Sequence, residues 1–249
     1  MSRTADHSAR KKEILSAVIE TYLRTAQPVS SEVLRKSPGI ELSSASVRNA
    51  MSELEEMGYL THPHTSAGRV PTDEGYRYYI NVLMKKQQLM EREADYIDRI
   101  YDLKVKELDD LLRETSRILS DFTHYASLVY FDDAGERVYS EGMRHILDHP
   151  EFNDLRRAQM VFEILEKKEE LLGLIGKSFS DQTVVYIGKE SACQHMEHCS
   201  VVVSRYDGDS SHECRGRLAL VGPRRMAYDR VIPLMDYLCE VIERNMERF

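Results

Sequence analysis

The spacing of apolar and polar positions near the start of the chain predicts three helices. In residues 9–26 apolar side chains recur every three or four positions, which makes one buried helical face. Ser30 suits the N-cap of a short second helix. Ser43 or Ser44 suits the N-cap of a third helix, which ends at Gly58. Three short helices joined in this way predict a helix-turn-helix.

A short β-hairpin is predicted directly after the third helix. Residues 59–61 and 69–71 have strand patterns, and the loop between them contains proline and glycine. Thr72 then begins a further helix, because acidic side chains follow it in the first turn. A hairpin at this place is the wing of a winged helix, so residues 1–78 are predicted to form a winged helix-turn-helix DNA-binding domain.

Residues 79–124 are predicted to be a long helical connector, broken once at most. Its later part carries an apolar seam at steps of three and four, made of Ile97, Tyr101, Val105, Leu108, Leu112, Thr115, Leu119 and Phe122. Two interpretations are open. The seam forms a stalk at which two chains associate, or it packs against its own C-terminal domain.

Residues 125–249 are predicted to form a domain that mixes strands and helices. Strand patterns occur at 127–131, 183–187, 200–206 and 217–221, and helical patterns at 155–175 and 231–242. The predicted fold class is therefore α+β.

The acidic excess of the chain lies outside the predicted winged helix. The formal net charge is −8, but residues 1–78 contain ten Lys or Arg and ten Asp or Glu. Attraction to DNA depends on the few basic groups that face phosphates, so the net charge does not exclude DNA binding.

Several other classes of protein are disfavoured. No run of 18 apolar residues is present, and no apolar core follows the charges of the first residues, so neither a membrane span nor a secretory signal is expected. Four cysteines fit a reducing compartment, and we expect a cytoplasmic protein. Motifs of the GxSxG, HExxH, P-loop and GxGxxG types are absent, so we expect neither an enzyme nor a cofactor.

The outward face of the third predicted helix is rich in hydrogen-bonding groups. At 100° per residue it presents Ala45, Asn49 and Ser52, flanked by Ser46 and Arg48. Asn can pair with adenine and Arg with guanine in the major groove, and the first turn of the helix can hold a phosphate. The predicted DNA-binding residues are Ser43, Ser44, Ser46, Arg48, Asn49, Ser52, His64, Thr65, Ser66 and Arg69. The alternative is a protein-docking module with the same polar face solvated, although such a module more often exposes aromatic side chains.

A group of Cys and His residues could bind zinc. It comprises Cys193, His195, His198 and Cys199, with His212 and Cys214 nearby. Structural zinc sites usually take pairs of ligands from two places, and a strand starting at Cys199 would point neighbouring side chains to opposite faces. We therefore expect a structural cluster without metal.

Longer segments of the chain resemble the HrcA family of heat-inducible transcription repressors. The resemblance is carried by residues 42–51, 54–55, 58–60, 63–73 and 75–77, and by the later blocks 149–152, 187–190, 199–202 and 222–228. It implies a winged helix followed by a GAF-like α+β domain. It also implies a homodimer on an inverted-repeat operator of double-stranded DNA before chaperone genes, with the chaperonin promoting the active repressor.

The chain departs from the family pattern between Phe131 and Tyr139. The family has much more chain here, including an inserted dimerisation domain, whereas this sequence has only a turn-length piece. The GAF-like domain is therefore expected to be reduced. Because two half-sites require a two-fold protein, we expect residues 88–122 or the C-terminal domain to supply the dimer contact.

Three functions compete at this level. The first is a heat-shock repressor that loses activity when heat diverts the chaperonin to unfolded proteins. The second is a winged-helix regulator whose GAF-like domain senses a small ligand. The third is a protein-docking scaffold, which the hydrogen-bonding character of Arg48, Asn49 and Arg69 disfavours.

Overall fold

The chain forms two compact units, residues 1–85 and 86–249. The computed structural model describes residues 2–37, 39–40, 42–63, 68–132, 137–166, 183–191, 193, 196–207 and 215–246. None of the described helices combines the length and the apolar character that crossing a lipid bilayer requires.

The first unit is a winged helix-turn-helix, as the sequence predicts. Its elements are α1 (Ser2–Thr25), α2 (Ser31–Arg35), α3 (Ser44–Glu56), β1 (Leu60–Thr61), β2 (Val70–Pro71) and α4 (Asp73–Tyr78). A π-helical turn over Tyr79–Leu83 continues α4. The strands β1 and β2 pair antiparallel, and the helices bury Ile14, Val18, Leu34, Val47, Met51 and Leu54 in a common core.

Local side-chain chemistry fixes where the helices of this unit begin and end. The hydroxyl groups of Ser30, Ser43 and Thr72 accept hydrogen bonds from backbone N–H groups of α2, α3 and α4 at 3.3, 3.1 and 3.0 Å. Such caps stabilise a helix by about 1 kcal/mol each. Gly58 ends α3 with a φ of 81°, a left-handed conformation that favours glycine. All four residues are those that the sequence predicts for these roles.

The second unit is an α+β domain, which confirms the predicted class. Its elements are α5 (Glu91–Lys104), α6 (Leu108–Thr123), β3 (Ala126–Asp132), β4 (Arg137–Glu141), α7 (Leu155–Glu166), β5 (Val184–Ile187), β6 (Cys199–Asp207), β7 (Arg215–Pro223) and α8 (Tyr228–Met246). Within the described ranges the strands form one antiparallel sheet in the order β4-β3-β7-β6-β5. The predicted helix at 155–175 is present to Glu166, and its remainder lies outside the described residues.

Both faces of this sheet are covered. Val201 and Val203 of β6 lie in one apolar cluster with Val161 of α7. The alternate residue Ser200 faces the other way and accepts a hydrogen bond from the hydroxyl of Tyr228, at the start of α8, at 2.7 Å. Helix α6 packs against β3 on this second face and against α8. The unit thus has three layers.

Residues 79–124 do not form one long helix. They comprise the π-helical turn, an extended segment, α5 and α6, and most of them lie in the second unit. The apolar seam is buried at Ile97, Tyr101, Leu112, Thr115 and Leu119. Because α5 packs on α6, and α6 packs on the sheet and on α8, the seam serves the core of its own unit. Of the two interpretations that the sequence left open, packing against the chain's own C-terminal domain is the one that these contacts support.

The shortened region between Phe131 and Tyr139 joins two neighbouring strands. Strand β4 was not predicted, and it pairs antiparallel with β3, with Phe131 opposite Arg137. Its side chains are half-buried or exposed, as expected for a strand at the edge of a sheet, which pairs with another strand on one side only. This pattern has too little apolar character to mark a strand in the sequence.

Candidate nucleic-acid interface

Helix α3 separates a buried apolar face from an exposed polar face. Val47, Met51 and Leu54 are buried, whereas Arg48 and Asn49 are exposed. Ser43, Ala45 and Ser46 are also exposed, and Ser44 and Ser52 are half-buried. Among the described residues, the side chains of Arg48 and Asn49 have no hydrogen-bond or ion-pair partner. Their donors and acceptors are therefore available on a helix whose position is fixed by its core.

The two serines at the start of α3 already have hydrogen bonds. Ser43 caps the helix and its Oγ also lies 2.9 Å from Oγ of Ser46. Oγ of Ser44 lies 3.3 Å from Oγ of Ser31 on α2, which connects the two helices of the helix-turn-helix. The backbone amides at the start of the helix, rather than these hydroxyls, are then the better candidates for holding a phosphate.

The base of the wing is hydrogen-bonded to the segment that precedes α2. Val29 and Arg69 exchange two backbone hydrogen bonds of 2.9 Å, which adds a third strand position to the hairpin. Gly68 lies against this contact, and a Cβ atom there would be 2.4 Å from the carbonyl of Val29. Only glycine fits at this point without displacing the wing.

The side chain of Arg69 joins the wing to α3. Its Nε donates to Oε2 of Glu55 at 3.1 Å and its Nη2 donates to Oγ of Ser52 at 3.0 Å. Nε2 of His62, on the other side of the hairpin, lies 3.4 Å from the same glutamate oxygen. The Arg69 side chain is only 12% exposed. Arg69 thus positions the wing against α3, whereas its direct contact with DNA remains a prediction.

Glu55 was not among the predicted site residues. Its position three residues after Ser52 places both side chains on one helical face, and this spacing was a signal for a shared partner. His64, Thr65 and Ser66, the predicted tip of the wing, lie outside the described residues.

The group of Cys and His residues lies in the second unit. Cys199 is buried in the apolar cluster beneath the sheet, and this burial raises the pKa of its thiol to about 12. Cys193 is half-buried against the same cluster. His195, His212 and Cys214 lie outside the described residues. Across the described part of the chain, no three metal-ligating side chains come together.

The chain is similar to known proteins over most of its length. Residues 128–232 match the HrcA protein C-terminal domain. The heat-inducible transcription repressor HrcA of Geobacter sulfurreducens is 30% identical over 340 aligned positions, covering 97% of this chain and 99% of that protein. The corresponding repressor of Desulforamulus reducens is 28% identical over 339 positions, covering 96% and 97%. These alignments are longer than the 249 residues of this chain, so the relatives contain residues with no counterpart here.

A solved structure shares the fold of most of this chain. The crystal structure of a hypothetical protein at 2.2 Å resolution superposes with a TM-score of 0.74 at 18% identity, covering 96% of this chain and 97% of that one. The family assignment comes from the sequence similarity. The chain belongs to the HrcA family of heat-inducible transcription repressors.

Proposed function

We propose that this protein represses heat-shock genes by binding duplex DNA with α3 and the wing. The observation that carries the proposal is the exposure of Arg48 and Asn49 on α3, without partners among the described residues. These are the side chains that pair most readily with guanine and adenine in the major groove. A helix held rigidly by Val47 and Met51 can present them in a fixed geometry.

The remaining site residues have supporting roles. Ser46 and Ser52 flank the base-reading pair and contact the groove edges. The amides at Ser43 and Ser44 bind the phosphate backbone. On the wing, His64, Thr65 and Ser66 supply further donors to the backbone or minor groove, and Arg69 holds the wing in place.

Two of the three acidic residues of α3 have a neighbouring cation. Glu53 is paired with Lys11 on α1 at 3.3 Å, and Glu55 is paired with Arg69 at 3.0 Å. These two carboxylates therefore repel phosphate less than free carboxylates would. Both lie in the second half of the helix, away from the N-terminal residues that enter the groove.

We propose that heat regulates this repressor through mass action, as its membership of the HrcA family suggests. We propose that a dimer binds an inverted-repeat operator before chaperone genes. The chaperonin favours the folded, active repressor, and heat diverts the chaperonin to other unfolded proteins. The active population then falls and the genes are expressed.

A second candidate function is the sensing of a small ligand by the C-terminal unit. A cavity of about 370 Å³ lies between residues 87–90, the end of α6 and the start of α8. Its walls are mostly apolar and include Leu89, Phe122, Val231 and Leu234. This volume is within the usual range of ligand pockets. A change in operator affinity on adding the low-mass fraction of a host extract to dialysed protein would favour this candidate.

Footprinting on the chaperone promoters of the host tests the main proposal. The protein is added at two temperatures, with and without chaperonin. We expect protection of an inverted repeat that is lost at the higher temperature and restored by chaperonin. Arg48→Ala should lose protection, whereas Arg24→Ala, which removes an exposed arginine from α1, should retain it. Binding no better than to random DNA would contradict the proposal.

A further inference from the structure

Helix α5 has one face that is buried in its own unit and one that is exposed. Ile97 and Tyr101 are buried, and Asp98 accepts hydrogen bonds from Tyr237 and Arg244 of α8 at 3.0 and 3.4 Å. The opposite face, here called the outer α5 face, is exposed and consists of Arg92, Asp95, Tyr96, Arg99, Asp102 and Leu103. Tyr96 is 56% exposed and Leu103 is 79% exposed. Both are large apolar side chains, two turns apart on one side of the helix.

When two copies of α5 lie antiparallel, each charge on the outer α5 face of one copy can lie opposite a charge of the other sign on the second copy. In chain order they are Arg92, Asp95, Arg99 and Asp102. In an antiparallel pair of α5 helices centred on position 97, Arg92 lies opposite Asp102 and Asp95 lies opposite Arg99. A parallel pair in register would instead place like charges together, which is destabilising. Positions 92 and 102 have their midpoint at position 97, and so do positions 95 and 99. One two-fold axis through this point therefore relates all of these pairs.

The apolar residues fit the same centre. Tyr96 is next to the two-fold axis, so the Tyr96 rings of two copies lie beside each other. Leu103 is 79% exposed and lies opposite position 91 of the other copy, at the end of the helix pair. Tyr96 therefore provides an apolar contact at the centre, the ion pairs lie on either side of it, and Leu103 lies at each end. Tyr and Arg are also residue types enriched in protein–protein interfaces.

We propose that the outer α5 face is an interaction surface for a second copy of this chain, with the two α5 helices antiparallel. The self-complementary order of charges is specific to that partner, because an unrelated protein would need no symmetry in this face. The proposal deepens the dimer of the proposed function by naming its contact. It does not depend on DNA binding, since the pairing occurs between free chains.

Sedimentation velocity of the full-length protein at micromolar concentration tests this surface. We expect a dimer for the wild type. Arg99→Asp places like charges opposite each other in both symmetric pairs and should weaken the dimer roughly tenfold or more. The double variant Asp95→Arg with Arg99→Asp restores opposite charges and should restore the dimer. Far-UV circular dichroism confirms that each variant is folded.

The apolar contact is tested with a matched pair of leucines. Leu103→Glu should give a monomer, whereas Leu155→Glu, at a site on α7 that is 67% exposed, should sediment as the wild type does. A monomeric wild type, a dimer unaffected by Arg99→Asp and Leu103→Glu, or a double variant that stays as weak as Arg99→Asp would each overturn the proposal. Binding to a single operator half-site distinguishes the dimer contact from DNA recognition. A monomeric variant that still binds one half-site has lost the dimer contact but keeps DNA recognition by α3 and the wing.

Discussion

The backbone N–H of Gln87 donates a hydrogen bond of 2.9 Å to the carbonyl oxygen of Asp229. This carbonyl is available because Pro233, four residues further along α8, has no N–H to donate to it. The side-chain amide of Gln87 also donates to the carboxylate of Asp229. A proline that would ordinarily weaken a helix here provides an attachment point for the segment that precedes α5.

Replacing this proline should therefore release the attached segment. In Pro233→Ala the new N–H competes for the carbonyl of Asp229, and hydrogen exchange in residues 86–90 should become faster. The unfolding temperature should stay the same or rise, because proline disfavours a helix interior. Exchange mass spectrometry measures the first effect and circular dichroism the second. Gln87→Ala, which removes only the side-chain bond, is the control and should show a smaller effect. Unchanged exchange in Pro233→Ala would contradict this account.

Arg48→Ala should weaken operator binding by about 1–3 kcal/mol, as expected for the loss of a bidentate contact to a base. The free energy of unfolding should not change, because the side chain is exposed and has no partner among the described residues. Titration of labelled operator DNA at fixed salt gives the affinity, with Arg24→Ala as the control. Equal affinities for Arg48→Ala and the wild type would remove Arg48 from the interface.

The ion pair at the base of the wing should contribute to the stability of the first unit. Arg69→Ala and Glu55→Gln should each lower the free energy of unfolding by about 1 kcal/mol, a modest value because the pair is partly exposed. The double variant should cost little more than either single variant, since both remove the same contact. Urea titration measures all three. Fully additive effects would show that the two side chains act independently.

Gly68→Ala should displace the wing. The added Cβ atom would lie 2.4 Å from the carbonyl carbon and oxygen of Val29, which are backbone atoms that cannot rotate away. We expect a loss of about 2 kcal/mol in stability and weaker operator binding together. Chemical denaturation and DNA titration test this. A variant as stable as the wild type would mean that the backbone contact at Val29 is not rigid.

His149 should make the second unit less stable in mild acid. Burial against the ring of Tyr125 lowers the pKa of His149 below its ordinary value of 6.5. The folded protein therefore binds this proton less tightly than the unfolded chain does. The resulting stability is complete above pH 6.5 and is lost as the pH falls through the lowered folded pKa. Melting temperatures between about pH 8 and pH 5 should show this decline. The decline should be smaller in His149→Gln, and equal slopes would contradict the assignment.

The sequence predicts those features that depend on neighbouring residues. The caps at Ser30, Ser43 and Thr72 and the end of α3 at Gly58 are determined within one turn of the chain, and all are found where expected. Most strands of the second unit were also predicted, because their apolar residues are nearly continuous.

Features that depend on distant residues were not predictable in the same way. The bond between Glu55 and Arg69 joins α3 to the wing and has no local signature beyond the spacing from Ser52. Apolar periodicity gave the seam through Ile97 and Leu112 correctly, but it could not show that α8 and the sheet cover it. For the same reason the exposed outer α5 face became evident only when the buried face had been located.

The central claim is that α3 and the wing bind a specific duplex. The most direct measurement is the affinity of purified wild-type and Arg48→Ala protein for an inverted repeat from a host chaperone promoter, compared with random DNA of equal length at moderate salt. We expect the wild type to prefer the promoter sequence by several orders of magnitude and Arg48→Ala to lose much of that preference. Equal affinity of the folded wild type for both duplexes would contradict the claim.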